Sequence, residues 1–234
     1  MCGFIGNVTD SPLVQALLER LGVTHLQSRL HNNPGTGPAA SIDIVRMEDD
    51  DVQVSSAIWW LLLEASERGL KPSKYTSFNT RSDKLNTPRS AGYKAYREAR
   101  CIIPATYIIE GEGAKGARRY HRIEPIRCAF ALGGLYRRWL DPVSNAEQLS
   151  CSIITLPPHP LWQGIHSKST PLFLPTDQPE LVRRWLDPQL QDVSMFGALM
   201  RPWFNESMAC TPIERPGLQR VLANPFAIPA DVRG

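Results

Sequence analysis

Cys2 stands between the initiator methionine and a glycine. A small residue in second place permits removal of Met1, and the chain then begins with a cysteine carrying a free α-amine and a thiol on adjacent carbons. Unperturbed, the amine titrates at about 7.7–8.0 and the thiol at about 8.5, so both keep a usable nucleophilic fraction near neutral pH. A 1,2-aminothiol condenses with an aldehyde first as an imine and then, by attack of sulfur on the imine carbon, as a five-membered thiazolidine. Ring closure makes such a capture durable. The plainer alternative is a small buried residue near a chain end, and the triplet alone does not separate the two.

The charge pattern bears on what could carry that aldehyde. The formal net charge is only +3, yet between Arg68 and Arg127 there are 14 Lys/Arg against 5 Asp/Glu, with 12 against 18 elsewhere. A basic middle within an acidic remainder suits a nucleic-acid groove, where local positive charge displaces counterions from phosphates. Charges scattered over a solvated surface give the same count. Four aromatics in or near this stretch, Tyr75, Phe78, Tyr93 and Tyr96, offer a base-stacking groove for a non-catalytic single-strand binder. None of the five cysteines (Cys2, Cys101, Cys128, Cys151, Cys210) is spaced as CxxC, so a metal site is not expected, and a reducing compartment would keep them as thiols. The longest apolar run, Ala57 to Leu63, is too short to span a bilayer, and the N-terminus lacks the basic-then-apolar order of a secretory signal.

The elements that must position these residues read as a β-rich α+β fold. At 234 residues the chain can bury one sizeable core, and a single domain over 1–234 is expected, with 214–234 an irregular C-terminal tail. Met1–Val8 reads as a short strand, and Asp10, Ser11 and Pro12 as the start of a helix whose leucines run at helical spacing to Gly22. His31–Pro38 is turn-rich, and Ser41–Met47 with Val52–Ile58 alternate like a hairpin around an acidic tip. Lys71–Arg89 is expected as an irregular loop carrying part of a site. A short helix is expected at Ala91–Ala99, followed by strands at Cys101–Ile103 and Tyr107–Ile109 that Pro104 interrupts. Further strands are expected at Arg119–Ile123, Cys128–Leu135, Ser150–Thr155 and Pro171–Leu174, with a peripheral helix at Pro179–Leu186.

Several segments, taken in order, resemble the SRAP (SOS-response-associated peptidase) family, which crosslinks to abasic sites in single-stranded DNA. Besides Met1-Cys2-Gly3, Asn79-Thr80-Arg81 is similar to its Asn-x-Arg element, and Arg100 to Glu110 to its Arg-Cys-(two apolar)-Pro-Ala segment that ends in an active-site glutamate. Thr155, then Ile165, His166 and Lys168, followed by Pro171, resemble its Thr and Ile-His-x-Arg/Lys-x-Pro elements. The resemblance covers the chain from Cys2 to about Pro212 and implies a β-rich SRAP-like domain. It implies Cys2, Asn79, Glu110 and His166 as the catalytic set. Glu110 would be the general acid/base, Asn79 would hold the α-amine or a sugar oxygen, and His166 would protonate the sugar oxygen as the ring opens. Arg81 and Lys168 would contact phosphates. The implied partner is single-stranded DNA containing abasic sites, met by a monomer with no cofactor, metal or membrane, in the cytoplasm or nucleoid of a bacterium or the nucleus of a eukaryote. Autopeptidase and lyase activities are also implied.

This chain departs from that pattern at several positions. It has Phe4 where the family usually has Arg, and Gly111 where Glu is commonly followed by Trp. The early Arg-Tyr-Asn-x-Ala-Pro segment is matched only loosely by Leu30 to Pro34, and Trp59-Trp60 stands near a Trp-Gly element without its glycine. A rival resemblance is to class II glutamine amidotransferases, since Met1 to Gly6 is similar to their Cys-Gly-Ile-x-Gly start. There the thiol would attack a glutamine amide with the α-amine as base. The Arg-Gly pair and Gly-x-Asn-Gly element that family needs are not found in suitable places.

Overall fold

In the structure, a computed structural model, residues 3–23, 31–114 and 116–232 are described. The chain opens with β1 (Ile5–Asn7), helix α1 (Pro12–Arg20), β2 (Asn33–Thr36), β3 (Ser41–Glu48), β4 (Asp51–Ile58), β5 (Leu63–Ser66), β6 (Gly69–Pro72) and β7 (Asn79–Arg81). Helix α2 (Tyr93–Glu98) leads into β8 (Arg100–Ala105), β9 (Tyr107–Glu112), β10 (Arg119–Pro125), β11 (Phe130–Leu140), β12 (Glu147–Leu156) and β13 (Thr170–Pro171). Helix α3 (Pro179–Leu186), β14 (Met208–Ile213) and β15 (Phe226–Ile228) complete it.

Five of these strands close on themselves. β11 pairs with β8, β8 with β3, β3 with β4, β4 with β12, and β12 with β11 again. The second sheet runs β15-β14-β10-β9-β1-β2. Alternation along the strands splits the apolar residues into two sets. Ile42, Ile44, Cys101, Ile103, Cys151 and Ile153 share one cluster with Ile5, Ile108, Ile123 and Cys210 of the second sheet, which joins the two sheets. Val45, Met47, Ile102, Leu135 and Ile154 face the other way and pack under α1 and α3.

The helices form where local signals place them. Ser11 Oγ accepts from the Leu13 N–H at 3.3 Å, Pro12 sits in the first turn, and Val14, Leu17 and Leu18 are buried. Gly22 ends the segment at φ +72°, a conformation that favours glycine. In α3, Val182, Trp185 and Leu186 form the buried face. The hairpin β3–β4 turns at Asp49 and Asp50, both at positive φ.

Four expectations need correction. The turn-rich His31–Pro38 contains strand β2, because an edge position beside β1 tolerates Pro34, whose carbonyl accepts a hydrogen bond from the Tyr107 hydroxyl. Pro104 does not interrupt its strand. Its partner Ala131 turns its backbone carbonyl away to Leu174, so that β11 needs no N–H from Pro104. The expected loop at Lys71–Arg89 includes the end of β6 and all of β7, which lies parallel to β12. The segment 214–234, expected as an irregular tail, carries β15. It also holds Asp231, whose carboxylate accepts from the Phe204 N–H at 2.6 Å and meets His159 Nε2 at 3.1 Å.

Arg100 ties the helices to the barrel. Its guanidinium is buried and donates to the carbonyls of Tyr96, Arg97, Trp185, Asp187 and Leu190, while Trp185 Nε1 donates to Cys101 O at 3.0 Å. Burial pushes its pKa down to about 10, so it stays charged at neutral pH. Arg100→Lys keeps the charge but offers three donors in place of the planar fork. We expect it to cost about 2–4 kcal/mol in denaturant unfolding, because buried carbonyls lose their partners; an unchanged midpoint would show that charge alone suffices. At one end of the barrel Glu48 receives Arg46 Nη2 at 2.6 Å and also Gln53 and Arg138, and the two guanidinium groups, Arg46 first, lower its pKa from 4.5 to about 2. A carboxylate with a depressed folded pKa contributes stability above its unfolded pKa and loses it as pH falls. That contribution should therefore fade between about pH 4.5 and about pH 2. Glu48→Gln should flatten this part of the melting-temperature profile, and an equally steep acid limb in the variant would exclude Glu48 as a source.

Candidate active site

Strand β9 sets the site's register. Ile5 and Gly6 of β1 oppose Ile108 and Tyr107, and Ile109 N donates to Phe4 O at 2.9 Å. On the other side His121 of β10 opposes Glu110. Period-2 alternation puts Ile108, Glu110 and Glu112 on one face and Tyr107 and Ile109 on the other. The outer pair packs with Phe4, Tyr120 and Ile213. The inner face begins in the shared core at Ile108, and Glu110 follows it at 2% exposure.

His166 comes to the same place from a different element. It follows the 3-10 turn Pro160–Trp162, and its backbone N–H donates to Trp162 O at 2.9 Å. The imidazole Nδ1 lies 3.0 Å from Gly111 O and 3.7 Å from Glu110 Oε2. A carbonyl can only accept, so this contact puts the proton on Nδ1 and leaves Nε2 as the second, exchangeable nitrogen. Burial lowers the imidazole pKa. The pair can hold and pass a proton between two buried groups.

Asn79 opens β7 on the barrel side, opposite Ile153. Its position follows from the preceding residue: Phe78 O accepts from Trp59 Nε1 at 2.9 Å and from Ile153 N at 3.1 Å, and the Phe78 ring packs on Trp59 and Trp60. Thr155 is buried, paired with Arg81 and Pro171. Arg81 extends into solvent and meets Asp83 through two hydrogen bonds of 2.8 and 2.9 Å, so a phosphate must compete with that carboxylate. Lys168 is exposed two residues beyond His166. Cys2 lies outside the described residues.

A cavity of about 740 Å³ lies along β7, lined by Asn79, Arg81, Lys84, Arg89 and Arg137, with Tyr75 at 65% exposure on its wall. Lys84, Arg89 and Arg137 had not been singled out from the sequence; the positive φ of Arg89 and the 2.6 Å bond from Arg137 to Ala91 O are tertiary facts. Not all of the basic middle is available to a ligand. Arg100 is a buried staple, Arg97 lies over the Tyr93 ring at 3.9 Å, and Arg122 over Tyr107 at 4.4 Å. The four-aromatic stacking groove is not formed. Tyr96 is buried against Trp185, where burial raises its hydroxyl pKa to about 12, and Phe78 packs on the tryptophans, because the same spacing that makes α2 amphipathic turns Tyr96 inward.

The other four cysteines are buried, and burial raises the pKa of each thiol, to about 12 for Cys210. Glu112 is a further residue that sequence reading passed over. Its carboxylate accepts from Ser167 N at 2.7 Å and from Ser167 Oγ at 3.0 Å, and Ser167 holds its pKa below the usual carboxylate range. Its place two residues after Glu110 was the available signal.

The sequence profile of the family described as SOS response associated peptidase (SRAP) matches residues 1–216. The abasic site processing protein YoqW of Bacillus subtilis is 30% identical over 136 residues, as is its counterpart of the same name in Bacillus phage SPbeta. That match spans 57% of this chain and 58% of either relative. The abasic site processing protein YobE of B. subtilis is 23% identical over 184 residues, 78% of this chain and 80% of YobE. Among crystal structures, a protein from Bacteroides thetaiotaomicron superposes with a TM-score of 0.71 at 21% identity, covering 94% of this chain and 95% of that one. One from Bordetella bronchiseptica gives 0.70 at 17% identity, covering 92% and 100%. These two share the fold.

The structure accounts for the glycine at 111. A Cβ there would lie 2.9 Å from the Tyr120 ring and 2.8 Å from Arg118 Cδ, so an aromatic on the neighbouring strand already fills the space. Gly111→Trp should therefore overpack the outer face and cost about 1–3 kcal/mol, and a second change, Tyr120→Ala, should recover most of it. Denaturant unfolding of the single and double variants measures this; additive losses would mean that Tyr120 does not hold the space.

Proposed function

The chain belongs to the SOS response associated peptidase (SRAP) family, and from that premise we propose that it captures abasic sites in single-stranded DNA as a covalent adduct through Cys2. The observation that carries the reading is the buried contact between Glu110 and His166, 3.7 Å apart at the end of β9. On the edge of β9 away from β10 the strand hydrogen-bonded to it is the N-terminal one, β1. Phe4, whose carbonyl accepts from Ile109 N of β9, stands two residues after Cys2 in the sequence. The names of the Bacillus relatives support the same substrate.

The chemistry balances with these groups. The α-amine of Cys2 adds to the C1′ aldehyde of the opened sugar, and the carbinolamine loses water to give an imine. The thiol sulfur then attacks the imine carbon and its proton goes to nitrogen, so that one water is released for each thiazolidine formed. Glu110 takes a proton from the attacking group and returns one to the departing oxygen. His166, with Nδ1–H held by Gly111 O, uses the unprotonated Nε2 to take the proton of the C1′ hydroxyl and hand it to the sugar ring oxygen as the C1′–oxygen ring bond breaks. Asn79 orients the amine or a sugar oxygen by hydrogen bonds. Arg81 and Lys168 serve phosphates, together with Lys84, Arg89 and Arg137 along the cavity. No helix among the described residues is long and apolar enough to cross a membrane.

Incubation with single-stranded DNA bearing one abasic site should give a slower band on a denaturing gel, absent for Cys2→Ala. Glu110→Gln should slow its formation about 10²–10⁴-fold while leaving binding to undamaged single strands unchanged. A protein with one extra residue before Cys2 should bind DNA yet lose the durable adduct, since nitrogen and sulfur no longer belong to one terminal residue. An adduct that survives Cys2→Ala would falsify the assignment.

A further inference from the structure

Three consecutive residues of β9 each meet the His166 turn. Glu110 Oε2 lies 3.7 Å from the imidazole Nδ1, Gly111 O accepts from that nitrogen at 3.0 Å, and Glu112 accepts from both Ser167 N and Ser167 Oγ. The two carboxylates share a face by strand alternation but have different surroundings. Glu110 is 2% exposed, whereas Glu112 stands at the rim with both oxygens engaged by one serine. We propose that Glu112 is the positioning residue of this site, clamping the His166 turn to β9 so that the imidazole keeps its Nδ1–H on Gly111 O and turns Nε2 toward the substrate.

The geometry supports this in two ways. Within the turn, Ile165 N and His166 N both donate to Trp162 O, while the Ile165 and Trp162 side chains join Ile108 of β9 in the shared apolar cluster, a packing that is non-directional. Those bonds shape the turn without placing it against β9. The Glu112 contacts are charge-assisted and fall on the residue directly after the imidazole, and hydrogen bonds to an ionised acceptor are roughly twice as strong as neutral ones. Second, Gly111 offers no side chain to hold the turn, since the space above it belongs to Tyr120. What remains at position 111 for His166 is the carbonyl, and its direction matters only if the turn is held in place. A displacement of about 1 Å in a reacting group can cost about 100-fold in rate, so a clamp one residue away has leverage without touching the substrate.

The catalytic part of this role rests on the abasic-site reading, and the test separates the two. The 15N shifts of the His166 ring, read on the DNA-free protein, report the tautomer directly. Wild type should show a protonated Nδ1. Glu112→Ala should shift the ring toward mixed tautomers and slow adduct formation about 10-fold or more, with undamaged single-strand binding unchanged. Glu112→Gln keeps an oxygen to accept from Ser167 N and should restore most of both signals. Wild-type tautomer and rate in Glu112→Ala would overturn the proposal, and so would a parallel loss of DNA binding and rate with an unaltered tautomer. If wild type forms no adduct at all, the function assigned above fails, and the tautomer measurement still decides whether Glu112 positions His166.

Discussion

Thr106 is the corner on which the architecture turns. It separates β8, a barrel strand, from β9, a strand of the second sheet. Its N–H donates to Gly6 O at 2.8 Å, its hydroxyl donates to the same carbonyl at 3.1 Å, and its oxygen accepts from Val8 N at 3.2 Å. The N-terminal strand is thereby locked beside β9 in one register. Side chains alternate with period 2, so a slip of one residue would carry Glu110 to the outer face against Phe4, Tyr120 and Ile213 and turn Tyr107 and Ile109 inward. The same corner holds the shared core together, because Ile103 and Ala105 before it and Ile108 after it lie in one cluster.

A buried carboxylate and imidazole are costly to remove from water, and the fold sets that cost at the end of an apolar stack rather than in its middle. Ile5, Ile108 and Ile123 fill the inner face up to Glu110, after which polar partners begin with Gly111 O, Glu112 and Ser167. Dry surroundings strengthen every interaction between the groups held there. The same surroundings silence the four core thiols, whose pKa values burial raises. These four thiols are thereby kept protonated and poorly nucleophilic within the core.

Basic residues serve the fold in two ways. Arg100 and Arg46 are buried and spend their donors on carbonyls, a serine and a carboxylate that link helices to strands and strand to strand. Arg81, Lys84 and Arg89 stand along an open cavity beside Asn79. A count of positive charge does not distinguish these uses, since a guanidinium is equally charged when it staples two helices and when it waits for a phosphate.

Much of this molecule was legible one residue at a time. The capped start of α1, the acidic hairpin tip, helix α3 and the β-rich class depend on contacts a few residues apart, and so do the Cys2 triplet and the ordered motifs that point to the family. What lay beyond the sequence depends on which distant segments meet. Pro104 sits within a strand because of where Ala131 directs its backbone, and the neighbour that the inward face of α2 gives Tyr96, Trp185, comes from a helix far along the chain. Glu112 acquires its role only once the His166 turn is laid against β9. Propensity, capping and periodicity act over single turns and strands, whereas register and burial are decided by packing between segments far apart in the chain. The sequence by itself therefore named candidates for the chemistry, and the tertiary structure alone decided that Glu110 and His166 share one dry site.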